Sequence, residues 1–254
     1  MFSLIVGIIM STIIAALNSF HIYRTFIGKN RDKVYSKDLA MFYYRFFIDV
    51  YFSIFTIPYL LYIYFDFLTL GDTGARIPDP LAYVFAFSCY NSVIAHGYMA
   101  MCIVIARFYA VAFPIQYRKT NIPRLAKLAF AFAVFMSLSE IVVAYTMMYT
   151  INVVFSLWFL IIVYGIRKQF VNSQFIFVNV LTTRDIFIIL FLRCIPSILS
   201  STYMKETFPV FKLIGLHMPT IATIATTLEI ASFTYYSMNN LKAQSRINST
   251  MQIG

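Results

Sequence analysis

The chain has 254 residues, 61% of them hydrophobic and 12% charged, with a formal net charge of +10. A soluble domain carries about 45–50% apolar and about 25% charged residues, so this composition excludes a body coated by water and makes lipid the principal solvent. A hydrocarbon core about 30 Å thick takes about 20 apolar residues per helix, which allows about six to eight spans in this length and no soluble domain beside them.

Apolar runs divided by charged gaps place seven spans at about 2–23, 39–65, 81–106, 125–145, 153–166, 186–203 and 208–238. The expected fold is an all-α, multi-pass transmembrane bundle of seven helices, a single domain over 1–254 with a short tail from about residue 239. The first span has no charge before Arg24 and lacks the basic start and cleavage site of a secretory signal, so it is expected to be retained. Pro58, Pro196 and Pro219 fall inside spans, where proline kinks a helix and frees backbone carbonyls. Cys89, Cys102 and Cys194 lie in apolar stretches and read as small buried hydrophobes. From Leu125 to Ile166 the only charge is Glu140, so the turn between the fourth and fifth spans must fall within 145–152, with almost no outer loop. Six spans with one long buried or re-entrant segment is the alternative.

Basic residues orient the bundle. Arg24, Lys29, Arg31, Lys33, Lys37 and Arg45 fall around the first loop, Arg107, Arg118, Lys119, Arg124 and Lys127 around the third, Arg167, Lys168 and Arg184 around the fifth, and Lys242 and Arg246 in the tail. The intervening loops hold Arg76, Lys205 and Lys212 beside Asp66, Asp72, Asp79 and Glu206. The positive-inside rule then puts the N-terminus outside and the C-terminus in the cytosol. The net positive charge reflects this topology and anionic inner-leaflet lipid; nucleic acid is not an expected partner. Asn248-Ser249-Thr250 matches a glycosylation acceptor, but in a cytosolic tail it reads as chance.

An ionisable residue within a span is costly and marks a functional candidate. Asp49, Glu140, Arg193 and Glu229 are such residues, and Asp49, Arg193 and Glu229 form a candidate intramembrane polar network. Asp49 sits one helical turn from Arg45, so a local ion pair and a bundle-facing ion or water site both account for it. Arg193 needs a partner, which Glu229 or Asp49 supplies. The third span is the most polar, with Ser88, Tyr90, Asn91, Ser92 and His96, where interhelical hydrogen bonding is the favoured reading. Nearer the outer end, Tyr83, Phe87, Tyr90 and Asn91 are candidates to floor a ligand cavity, with His217 and Thr220 of the seventh span facing them. There is no metal-ligand spacing, no Gly-rich phosphate loop and no Ser-His-Asp array, so neither enzyme nor cofactor is expected.

The third span ends in Arg107-Phe108, followed by Ala110-Val111 and by Pro114-Ile115-Gln116-Tyr117. With seven spans and an external N-terminus, this resembles rhodopsin-like G protein-coupled receptors, whose third helix ends in an Asp/Glu-Arg-Tyr triplet followed by proline and tyrosine at this spacing. Asp49 lies about where that family keeps a sodium-site aspartate. Ala106 stands in place of the triplet acid, the fourth helix has no tryptophan, and the seventh has only Thr234-Tyr235-Tyr236 where Asn-Pro-x-x-Tyr is usual. The cysteine pair that ties the third helix to the second external loop is also missing. A closer resemblance is to nematode serpentine chemoreceptors of class BC, carried by 107–117, by Asn179 to Asp185 leading into Ile195-Pro196-Ser197, and by His217-Met218-Pro219 through Glu229 and Tyr235.

The resemblance implies a chemosensory receptor in the plasma membrane of sensory cilia. It would bind an external small molecule and activate a heterotrimeric G protein through Arg107, Phe108, Pro114, Tyr117, Arg118 and Lys119. A multi-pass transporter or channel is the alternative, although no repeat relates the halves. Without an acid at position 106, Arg107 is expected to be less restrained, which would raise basal activity.

Overall fold

The structure is a computed structural model that describes residues 2–28, 37–70, 80–138, 151, 153–163, 173–196 and 218–251. Every regular element among them is helical. Helix α1 is Phe2–Ile22 and continues through a π turn, Tyr23–Ile27; a short 3-10 turn, Lys37–Leu39, leads into α2, Ala40–Leu70. Then come α3, Pro80–Ala112; α4, Pro114–Lys119; α5, Ile122–Leu138; and α6, Val153–Val163. Helix α7, Ser173–Ile189, continues through a second π turn, Leu190–Cys194, and α8 is Met218–Met251.

Local chemistry explains the breaks between α3 and α5. Proline disfavours helical geometry in the residue before it, and Phe113 leaves the helix with φ −132° and ψ 61°. Pro114 then occupies the first turn of α4, where its missing N–H is no loss. Asn121 caps α5, its Oδ1 accepting from the Arg124 N–H at 3.2 Å.

Two expected boundaries move. Helix α3 runs on to Ala112, so Arg107 lies within the helix and not at its end. Helix α7 begins at Ser173, well before residue 186, and takes in the charges at 184 and 185 that read as loop. Helix α8 continues through the residues assigned to the tail. Glu140 and most of the 145–152 turn lie outside the described residues.

The helices carry their polar faces inward and their apolar faces outward, the reverse of a soluble bundle. On α2, Arg45, Asp49, Ser53 and Thr56 recur at helical spacing and are buried, while Phe47, Tyr51, Ile54, Leu61 and Phe65 on the other faces are exposed. On α8, Thr220, Thr223, Thr226 and Glu229 are buried at every third position. The threonine hydroxyls among them donate back to their own helix, as Thr226 does to the Ala222 carbonyl at 3.0 Å. Such a surface is stable only where lipid replaces water. Among the described residues, the stretches Leu4–Ile27, Ala40–Ile63 and Val84–Ala112 are long and apolar enough to cross a membrane, and Val153–Val163 is a shorter apolar helix.

Helix α2 packs against α1, α3 and α5, and α8 packs against α1 and α7. Close approach is obtained with small residues, as in membrane bundles generally. Gly7 lets α1 come so near α2 that an added Cβ would meet the Leu60 methyl at 2.8 Å. Ala126, Ala129, Ala133 and Ser137 form the buried face of α5, opposite the exposed Leu128, Phe132, Phe135 and Leu138. Ala133→Leu overpacks this seam and is expected to cost about 1–3 kcal/mol, seen as a lower melting temperature in detergent or nanodiscs. Phe135→Leu on the lipid face is expected to leave that temperature unchanged.

Candidate functional site

Five ionisable side chains from four helices meet inside the bundle. Arg45 Nη1 on α2 lies 2.7 Å from Asp185 Oδ2 on α7 and 3.4 Å from Glu229 Oε2 on α8. His96 on α3 stands between Asp49 and Glu229, with Nδ1 2.7 Å from Asp49 Oδ1 and Nε2 2.8 Å from Glu229 Oε2. None of the five side chains is more than 3% exposed. Helical spacing brings them together: Arg45 and Asp49 share a face of α2, Asn179, Thr182 and Asp185 share a face of α7, and Glu229 ends the polar stripe of α8.

A charge moved from water into such an interior survives only with partners, because the desolvation cost amounts to several kcal/mol per ion. Glu229 Oε2 serves both Arg45 and His96 and so joins the two pairs into one cluster. The Arg45 guanidinium also lies over the Phe42 ring, 5.2 Å from its centroid. Toward the inner side the cluster rests on packed rings, with Phe46 and Phe233 at 4.8 Å and His21 and Phe233 at 5.1 Å between centroids. His21 Nε2 lies 2.8 Å from Thr234 Oγ1.

These contacts revise the sequence reading. The local Arg45–Asp49 pair does not form; each turns to a different helix. Asp49 and Glu229 meet through His96, whereas the Arg193 side chain lies outside the described residues. His96 makes the interhelical contact favoured for the third span, but Ser92 instead donates to the Ser88 carbonyl of its own helix at 2.6 Å. Asp185 and the bridging role of His96 were missed. The first stood next to Arg184 in a stretch read as loop, and the second is visible only once α3 and α8 are docked.

The inner end of α3 is a second constellation. Arg107 is 2% exposed, and its Nη2 donates to the backbone carbonyl of Asp38 in the turn leading into α2. Its guanidinium also lies 5.9 Å from the centroid of Tyr117 on α4. Burial raises the pKa of the Tyr117 hydroxyl, and the Arg107 charge opposes that rise. Arg107 is therefore restrained despite the alanine at 106, contrary to the expectation of a looser arginine. No side-chain signal predicts this, because the acceptor is a main-chain oxygen. Phe108 faces α6, with its ring against Phe155 and Trp158 at 5.6 and 6.0 Å. Pro114, Arg118 and Lys119 are exposed beside the buried Tyr117.

The candidate cavity residues do not share one environment. Asn91 and Thr220 are buried, Phe87 is half-buried and Tyr90 is half exposed on another face of α3. The Tyr83 side chain and His217 lie outside the described residues. A shallow cleft lined by Val153, Ser156, Leu157, Leu160, Ile186, Ile189 and Leu190 lies between α6 and α7, away from these positions.

Residues 1–147 match the family model described as serpentine type 7TM GPCR chemoreceptor Srbc. No curated protein matches the chain. The matched segment takes in α1 to α5 and thus Arg45, Asp49, His96 and Arg107, while Asp185 and Glu229 lie beyond it. Breaking the cluster by Asp185→Asn or Arg45→Gln is expected to cost about 3–5 kcal/mol, read from thermal or denaturant unfolding in nanodiscs. Replacing both partners by apolar residues, Arg45→Met with Asp185→Leu, is expected to recover much of that loss.

Proposed function

The chain belongs to the Srbc family of serpentine chemoreceptors. It is an integral membrane protein, and we propose that it is a seven-helix chemosensory receptor that binds an external small molecule and activates a heterotrimeric G protein. In this reading the N-terminus is external, the tail is cytosolic, and the receptor works in the plasma membrane of sensory cilia. The single observation that carries it is the inner end of α3. There, a buried Arg107 held by the Asp38 carbonyl and Tyr117 adjoins the exposed cations Arg118, Lys119, Arg124 and Lys127.

The mechanism is a population shift. In the described arrangement Arg107 is satisfied inside the bundle and unavailable to a partner. An external molecule among the outer halves of the helices, near Tyr83, Phe87, Tyr90, Asn91, His217 and Thr220, favours an arrangement in which Arg107 leaves Asp38 and its surroundings open. The ligand shifts this equilibrium only by its differential affinity for the two states. Basic loops then attract the acidic parts of the G protein and speed the encounter. Phe108, packed on α6, ties displacement of α3 to that helix.

A second reading, a transporter or channel, is favoured by the buried ionisable cluster, since embedded charges also mark ion and proton pathways. The two are separated by assaying one preparation twice. Vesicles holding the receptor are screened with odorants and metabolites for nucleotide exchange on added G protein, and the same vesicles are screened for substrate flux. Exchange without flux supports the receptor; flux without exchange overturns it. Arg118→Glu with Lys119→Glu, both at exposed positions, is expected to reduce exchange at least about tenfold, as loss of electrostatic steering does, with an unchanged melting temperature.

A further inference from the structure

The rhodopsin-like pattern implies a sodium ion at Asp49, and the residues around it do not fit one. Asp49 Oδ1 accepts from His96 Nδ1 at 2.7 Å, so the imidazole occupies the carboxylate's inward side. The remaining gap, bounded by Asp49, Phe52, Ser92, Val93, His96 and Thr226, is too tight for a water molecule. A hard cation needs a shell of several oxygens. Here the nearby hydroxyls serve their own helices, Ser53 Oγ donating to the Asp49 carbonyl at 2.9 Å and Ser92 Oγ to the Ser88 carbonyl at 2.6 Å. Among the described residues, no group of three or more His, Cys, Asp or Glu converges as a metal-holding set.

The second contact of the ring indicates what takes the ion's place. His96 Nε2 lies 2.8 Å from Glu229 Oε2, so both ring nitrogens are at hydrogen-bond distance from a carboxylate oxygen. Each contact requires a hydrogen. An ionised carboxylate brings none, and a neutral imidazole has one for its two nitrogens. Two contacts therefore need two protons. The surrounding charges agree: Arg45 and Asp49 from α2, Glu229 from α8 and Asp185 from α7 amount to one base against three acids if the ring is neutral. The titratable group of α1, His21, is turned to Thr234, and the described charges of α5, Arg124 and Lys127, are exposed at its inner end.

We infer that His96 is an imidazolium clamped between Asp49 and Glu229, a cation built into the chain where a mobile sodium ion would otherwise sit. The bundle then holds α2, α3 and α8 together without recruiting an ion, and its stability does not depend on sodium. The inference rests on the cluster alone, so its readouts are independent of ligand binding and G-protein coupling.

The test compares melting temperatures of the full chain in nanodiscs in sodium chloride and in N-methyl-D-glucamine chloride at equal ionic strength. The wild type is expected to melt at the same temperature in both. The His96→Ala variant is expected to melt lower and to regain part of the loss in sodium. In 15N-histidine-labelled protein, with His96 identified by its absence in His96→Gln, both ring nitrogens are expected to carry protons. A sodium-dependent rise in the wild-type melting temperature overturns the inference, as does a bare ring nitrogen at His96. If His96→Ala does not fold, the wild-type melts and the spectrum decide the matter alone.

Discussion

A guanidinium enclosed by a bundle that faces lipid is the constraint on which the rest of the structure depends. Arg45 has neither water nor headgroups within reach, so acids must come to it, and they come from other helices. Asp185 and Glu229 meet it, Glu229 is shared with His96, and His96 reaches back to Asp49. The cluster therefore selects the rotations of α2, α3, α7 and α8 together. A turn of any one helix by a single residue would aim its charge at hydrocarbon, at a cost of several kcal/mol. Apolar packing alone gives no comparable preference, because lipid tails are as apolar as the side chains they would replace.

The cluster is also in contact with the layers below it. Phe46 follows Arg45 on α2, Phe233 lies one turn from Glu229 on α8, and the two rings pack at 4.8 Å. Motion of the charged groups thus moves the aromatic layer, and that layer adjoins the inner end of α3. Below it, Arg107 is satisfied by a main-chain carbonyl and a tyrosine ring where the wider receptor pattern uses a neighbouring carboxylate. A carbonyl contributes partial charge and no counter-ion, so Arg107 is positioned without being neutralised.

Much of this was legible in the residues, and the gaps have physical causes. Composition gave the solvent, apolar runs gave most of the helices, and the cost of embedded charge singled out Asp49 and Glu229. The partners were not legible, because the i, i+4 rule sees only one helix: Arg45 and Asp49 looked like a pair, and they are linked only through Glu229 and His96. Asp185 was lost for a different reason. Hydropathy reads Arg184-Asp185 as the edge of a span, although a helix can send adjacent residues to opposite environments. Arg184 is exposed, with its guanidinium 4.7 Å from the Tyr236 ring, while Asp185 is buried.

The π turn at Leu190–Cys194 separates two parts of α7. A π turn takes one residue more than the α-helical ladder, which amounts to about 100° of helical phase. Asp185 lies before it and Pro196 after it, so the facing of the outer segment cannot be counted from Asp185 by steps of 3.6 residues. The turn acts as a phase joint. A sequence one residue longer or shorter there could return the segment to a plain α-helix and present a different set of side chains to the outer bundle, while Asp185 kept its place beside Arg45. Change on the side that meets the outside is thereby uncoupled from the charged interior, which tolerates almost none.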